Sequence, residues 1–285
     1  YMDVTINGVA NNSTPGGGFV KVNYDGSTTL TSLTIYRTGG GNSADLRGLK
    51  INGKLLVDTG VSVTNVPSYA NTGASVGTKQ GFSIVKWTHS NGTVGTISHG
   101  LSKAPTFILY KSIDNALRWT VGHTSVPWTK ALVLNTNNAP LAADSAYWDD
   151  TEPTSSVFTI GDTGQIGNGA AIAYCWHDVP GMFKTGKYTN NASADGPFIE
   201  LGFKPAMVIL KCIGSGTNWR LADNVRDPFN NGSGTKWLKP STADIEANER
   251  AVDFVSNGIK IRSTAGGDIN QNSNAGNITY VYAAW

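Results

Sequence analysis

With 285 residues the chain has room for two or three domains, each with its own core. Charged residues make up 15% of it, against about 25% in ordinary soluble domains, and glycine numbers 34, a composition of short strands and many turns with almost no helix. The net charge of +2 comes from singly scattered Lys and Arg, which excludes the electrostatic footprint of a nucleic-acid binder, and no apolar run approaches the ~18 residues of a membrane helix.

Residues 1–65 read as a β domain. Asp3-Val-Thr-Ile-Asn7 alternates, Phe19–Tyr24 places Val20, Val22 and Tyr24 on one side, and Leu49–Val57 centres a hairpin on Asn52-Gly53. Both residues of that pair tolerate the positive φ of a type I′ turn. About five strands in this segment read as an incomplete sheet whose remainder lies upstream of Tyr1 or in a neighbouring chain. Residues 66–80, polar and Gly-rich, read as a linker.

The rest of the chain repeats itself. Lys103–Lys111 matches Lys204–Lys211, and from Pro105 and Pro205 the offset is 100, which also pairs Trp119 with Trp219. Lys86-Trp87-Thr88 pairs with Lys187-Tyr188-Thr189, and Val157–Ile160 with Gly258–Ile261, both at an offset of 101. Ala171–Trp176 corresponds to Tyr280–Trp285, the extra residues falling in the polar loop 265–276. Collinear blocks in this order predict two tandem homologous antiparallel β-sandwich repeats, 81–180 and 181–285.

In the first repeat, turn-bounded strands are predicted at Phe82–Thr88, Thr93–Ser98, Pro105–Ile113, Leu117–Gly122, Lys130–Leu134, Ser156–Ile160 and Ala170–Trp176. In the second, Ile278–Trp285 is a continuous apolar and aromatic run, as expected of a strand buried on both faces. Ser241–Val252 is the one stretch with much helical character, and an irregular segment or a single helical turn satisfies it as well. Cys175 and Cys212 lie in apolar strand-like segments and read as buried free thiols, with a single disulfide between them as the alternative.

Catalytic chemistry is sparse. His89, His99, His123 and His177 form no metal-ligand spacing and read as solvated or structural. Asp144, Asp149, Asp150 and Glu152 make a weak calcium candidate without the Gly-punctuated alternation of a dedicated loop, so a solvated loop is the favoured reading and no metal or cofactor is expected. Glycine clusters such as Gly39-Gly-Gly41 and Gly161–Gly164 precede no helix, which removes a phosphate cradle, and no Gly-x-Ser-x-Gly elbow occurs. The chain reads as non-enzymatic.

Aromatic side chains remain as carriers of function. Trp119 with Trp219 and Trp176 with Trp285 recur in both repeats and read as packing. Trp128, Tyr147, Trp148 and Trp237 lie instead beside polar loops, and are the predicted glycan-stacking residues; half-buried cover for a sandwich end is the competing reading.

The blocks Gly81-Phe-Ser-Ile-Val-Lys-Trp-Thr88, His99–Pro105, Glu152-Pro-Thr-Ser-Ser-Val-Phe158, Ala173-Tyr-Cys-Trp176, Ser193–Phe198 and Gly202–Ala206 together resemble an uncharacterised duplicated β-domain of marine bacteriophage tail-fibre and other virion proteins, often placed after a concanavalin-like lectin domain. The resemblance covers about residues 81–285, and Arg47–Gly60 is similar to the segment that commonly precedes the domain. It implies a virion structural protein, tail-fibre-like, on the particle surface, attaching to host cells through surface glycans. It supplies no catalytic residues. A homo-oligomer, expected to be a trimer, would cover the incomplete sheet and contact other virion proteins. The alternatives are a capsid decoration or head-fibre protein, and a secreted bacterial carbohydrate-binding module or depolymerase.

Overall fold

The computed structural model describes short strands within residues 2–55, then residues 67–162, 165–226, 230, 235–249, 252–262, 269–270 and 278–285. The chain divides into two units, Tyr1–Val57 and Asp58–Trp285. In the first, β1 (Met2–Ile6) pairs antiparallel with β2 (Val9–Asn11) and β3 (Leu33–Arg37). A separate pair, β4 (Lys50–Ile51) and β5 (Lys54–Leu55), brackets the predicted Asn-Gly turn with Ile51 opposite Lys54. The predicted strand at Phe19–Tyr24, the turn residues Asn52 and Gly53, and Gly39–Gly41 lie outside the described residues.

The second unit begins with β6 (Asn71–Gly77), β7 (Phe82–His89), β8 (Gly95–Ser98), β9 (Phe107–Ser112), β10 (Thr120–His123) and β11 (Leu132–Val133). A single helical turn, α1 (Ser145–Trp148), precedes β12 (Val157–Ile160) and β13 (Gly169–Trp176). These elements form a six-stranded antiparallel sheet of order β11-β10-β9-β13-β7-β6, faced by the pair β12-β8. All seven predicted strands of this region are present, with ends shifted by a residue or a few. The predicted linker 66–80 is corrected: Asn71–Gly77 is an edge strand lying along β7. Its sequence, Asn-Thr-Gly-Ala-Ser-Val-Gly, lacks alternation because an edge strand is held by main-chain bonds.

The chain continues through β14 (Lys184–Thr189), β15 (Phe198–Glu200), β16 (Met207–Cys212), β17 (Arg220–Asp223), β18 (Thr235–Trp237), β19 (Ala247–Glu249), β20 (Val252–Val255), β21 (Gly258–Ile261) and β22 (Thr279–Ala284). Here the main sheet has the order β14-β22-β16-β17, faced by β15-β21-β20, with β18-β19 beside it. Ser241–Val252, the stretch with most helical character, holds no helix among its described residues: Ala247–Glu249 pairs with β18 and Val252 opens β20. Pairing partners override local propensity.

Strand order and register agree between the two main sheets. Trp87 faces Ala171 across β7-β13, and Tyr188 faces Tyr280 across β14-β22. Tyr110 pairs with Ala173 and Thr120, and Leu210 with Tyr282 and Arg220. Among the described residues the fold of this unit is thus all-β in class and sandwich-like, with the one helical turn α1.

Alternation explains which residues go where. Along β7, Ser83, Val85, Trp87 and His89 are buried while Lys86 and Thr88 are exposed. One core lies between the six-stranded sheet and β12-β8, built on Val85, Trp87, Ile108, Tyr110, Trp148 and Phe158. A second lies between β14-β22-β16-β17 and β15-β21-β20, built on Leu210, Trp237, Phe254, Ile259 and Tyr280. A third joins the outer faces of the two main sheets through Phe107, Val121, Phe183, Ile209, Trp219 and Val281. The run Tyr280–Ala284 is continuously apolar because Tyr280 and Tyr282 enter the second core while Val281 and Ala283 enter the third. Cys175 and Cys212 are buried and free, and burial pushes the Cys175 thiol up.

Candidate functional site

The predicted stacking residues are corrected by their burial. Trp148 and Trp237 are 0% exposed, Tyr147 5% and Trp128 6%, so none offers a ring face to a sugar. Trp128 and Trp148 meet edge to face at 5.0 Å, and Trp148 meets Tyr110 likewise at 5.2 Å. Both indoles lie over Gly122, where a Cβ would collide first with Trp128 and come within 2.7 Å of Trp148. Trp237 fills the second core. The polar residues around these aromatics in sequence are the surface of the same loops, whose side chains alternate in and out.

The acidic loop is structural. Asp144 caps α1, its Oδ1 accepting from the Ala146 N–H at 3.0 Å. Asp149 closes the turn in the left-handed region at φ 50°, donating its own N–H to the Ser145 carbonyl at 2.7 Å. Asp150 and Glu152 are exposed. Among the described residues no three His, Cys, Asp or Glu side chains gather in a metal-holding group.

All four histidines are buried. His99 Nδ1 accepts from the Leu101 N–H at 3.1 Å, which leaves the proton on Nε2 to be donated to the Thr154 carbonyl at 3.1 Å. Burial lowers its pKa to about 4, with His177 adding to the shift and the Thr154 carbonyl opposing it. His123 is held the same way, Nδ1 accepting from Ser125 at 3.0 Å and Nε2 donating to the Tyr282 carbonyl at 3.0 Å. Its pKa is also lowered to about 4, by burial against the opposing effects of the Tyr282 carbonyl and Asp178. Burial lowers His89 too, whose ring lies 5.2 Å from that of Tyr69. His99 and His123 are thus neutral, packed side chains.

The partly exposed aromatic surface lies on the outer face of the six-stranded sheet. On β13, Ala171, Ala173 and Cys175 point into the core, which sends Ile172, Tyr174 and Trp176 outward. Register then builds rows across the strands. Phe82, Trp176 and Phe107 form one, Ile84, Tyr174 and Leu109 the next, and Lys86, Ile172 and Lys111 the third. The first row packs against Phe183 and Trp285. Beyond it Tyr174 stays partly exposed, near-parallel to Trp176 at 6.3 Å and 21°, with Trp119 tilted against it at 6.4 Å. Exposed Lys86 and Ser75 flank this group.

Trp119 is positioned by its own main chain. Its N–H donates to Asn135 Oδ1 at 3.0 Å and its carbonyl accepts from Leu134 at 2.9 Å. Repetition of Trp119 and Trp176 along the sequence points to packing, and for Trp176 that holds. Tyr174 is a partly exposed aromatic that the repeat does not single out, and the in-out alternation of β13 is what marks it.

A sandwich-like β protein with a partly exposed aromatic face is therefore what the fold and surface define. The chain belongs to the family described as a domain of unknown function (DUF7483), whose model matches residues 52–285. No curated protein and no solved structure matches it.

Proposed function

We propose that this chain is a non-enzymatic virion protein of a bacteriophage, tail-fibre-like, that attaches to host cells through surface glycans. Two considerations support the reading: the resemblance of residues 81–285 to the duplicated β-domain of such proteins, and a surface whose accessible chemistry is aromatic and hydrogen-bonding. The observation that carries the glycan part is the Trp119–Tyr174 pair, partly exposed and bordered by Lys86 and Ser75. Ring faces stack on the C–H faces of sugars while amines and hydroxyls bond their hydroxyl groups. A shallow site of this kind binds weakly, and a homotrimer would raise attachment through effective concentration.

The test is binding of the purified chain to host cell-surface polysaccharide. The double variant Trp119→Ala, Tyr174→Ala is expected to lose at least about tenfold in affinity, at roughly 1.4 kcal/mol per decade. Unchanged binding with the fold intact would remove the site. Antibody-labelled particles seen by electron microscopy test the virion assignment separately.

A further inference from the structure

In the six-stranded sheet the margin of β7 is covered. The N–H of His177 bonds the Gly81 carbonyl at 2.9 Å, so odd-numbered residues of β7 turn their main-chain groups toward β13 and even-numbered ones turn outward. Those outward residues meet β6, with Ser75 opposite Ile84 and Gly73 opposite Lys86. The covering segment also reaches the facing sheet. The Tyr69 N–H donates to the Thr96 carbonyl at 3.1 Å, Thr96 N–H donates to Ser68 Oγ at 2.7 Å, and Asn71 Nδ2 donates to the Ser98 carbonyl at 3.0 Å. One extended segment, Ser68–Gly77, thus closes the same side of both sheets.

The second sandwich repeats this margin, and among the described residues no strand covers it. Asn190 N–H bonds the Ile278 carbonyl at 3.0 Å, which sends the main-chain groups of Thr185, Lys187 and Thr189 outward, at the register positions of Ile84, Lys86 and Thr88. Among the described residues no strand pairs with that side of β14, and β15 is likewise an outer strand. Two groups are capped from nearby. Asp178 Oδ1 accepts from the Thr185 N–H at 3.1 Å, and Lys184 Nζ donates to the Glu200 carbonyl at 2.9 Å, the position Asn71 serves in the first sandwich. Phe198, which occupies the position of Thr96, is 47% exposed. The connection 177–183 is used up in passing directly from β13 to β14, with Val179 bridged to Phe183.

We infer that the β14/β15 margin is a strand-accepting seat for an extended segment of another polypeptide, one with small side chains and a glycine opposite Lys187. The first sandwich specifies the occupant's chemistry. Gly73 stands opposite Lys86, so the lysine stem meets no side chain, and Ser, Ala and Thr fill the neighbouring positions. Main-chain bonds supply affinity at such a margin and side-chain size supplies selection. A lysine at an open edge also opposes pairing of two identical edges, which places like charges together. That favours a foreign segment over a second β14.

The probe is the synthetic peptide Ser-Tyr-Ala-Asn-Thr-Gly-Ala-Ser-Val-Gly, the sequence of residues 68–77, added to the full chain. Saturable binding is expected, with exchange of the Lys187 and Thr189 amides slowed at least about tenfold while the amides of Gly186 and Tyr188 are protected throughout. A peptide with lysine in place of its glycine opposite Lys187 is expected to bind at least about tenfold more weakly. The Thr189→Pro variant removes an outward donor that an outer strand does not need, and should lose binding while keeping its melting curve. If that variant fails to fold, the exchange measurement on the unaltered chain decides. Amides of Lys187 and Thr189 that exchange rapidly with saturating peptide, or are protected without it, would overturn the inference. So would protection that grows with protein concentration alone, which would identify a second copy as the occupant.

Discussion

His123, on the first sandwich, donates its Nε2 proton to the main-chain carbonyl of Tyr282, on the second, at 3.0 Å. The same ring accepts from Ser125, so both nitrogens are committed and the neutral tautomer is fixed. Protonation would put a second proton on Nδ1, against the Ser125 N–H, inside a buried joint between the two main sheets. His99 is committed in the same way to Leu101 and Thr154 within the first sandwich.

Acid should therefore weaken the protein. Both folded pKa values lie at about 4, below the 6.5 of an unfolded histidine, so between those values the unfolded chain binds more protons. Stability is full above about pH 6.5, falls as pH drops toward about 4, and loses no more from these groups below that. Each histidine contributes on the order of 3 kcal/mol across the window. Denaturant midpoints measured from pH 7.5 to 4 check this, and the His123→Gln variant should show a shallower slope. An unchanged slope in that variant would remove His123 from the account.

Gly122 should not tolerate alanine. A Cβ there meets both Trp128 and Trp148, whereas the register-equivalent Ala222 carries its methyl without those indoles. Overpacking of this kind costs about 1–3 kcal/mol. Chemical denaturation of Gly122→Ala reads the loss directly, and Ala222→Gly is expected to act through strand propensity, at about 1 kcal/mol or less.

Trp148→Ala and Trp237→Ala should be stability variants. Each removes a fully buried indole from a separate core, at a cost of about 3–5 kcal/mol. Thermal melts are the measurement. Either variant folding with unaltered stability would show its indole to lie outside the core.

Deletion of Thr279–Trp285 removes the strand that lies between β14 and β16. The amides of β16 and β17 are expected to lose exchange protection while those of β9 and β13 keep theirs. Hydrogen exchange followed by mass spectrometry distinguishes this from loss of both sandwiches together.

The sequence made the regular strands readable because they are half buried, and half burial writes itself as alternation. Phe82–His89 is such a strand, and so are the others predicted in the first sandwich. Asn71–Gly77 was not legible because its role is met by main-chain groups, which leave no pattern in side-chain type. Trp148 was misread for another reason. Its neighbours Asp149 and Asp150 are polar and turn-forming, but a single turn capped by Asp144 rotates the indole inward while those carboxylates stay at the surface. Exposure of one residue depends on partners such as Tyr110, distant along the chain.

The position of β22 also sets an order in time. The six-stranded sheet can close once Trp176 has been made, because β13 is its last strand, but β14 and β16 share no neighbour until β22 arrives. At about 5–20 residues per second, synthesis of residues 177–285 takes roughly 5–20 s. Through that interval the outer face carrying Phe107, Val121 and Trp176 waits without the sheet that later covers it. The nascent chain is thus most exposed to aggregation with its first sandwich already folded, and a chaperone that binds apolar sheet faces would be needed most then.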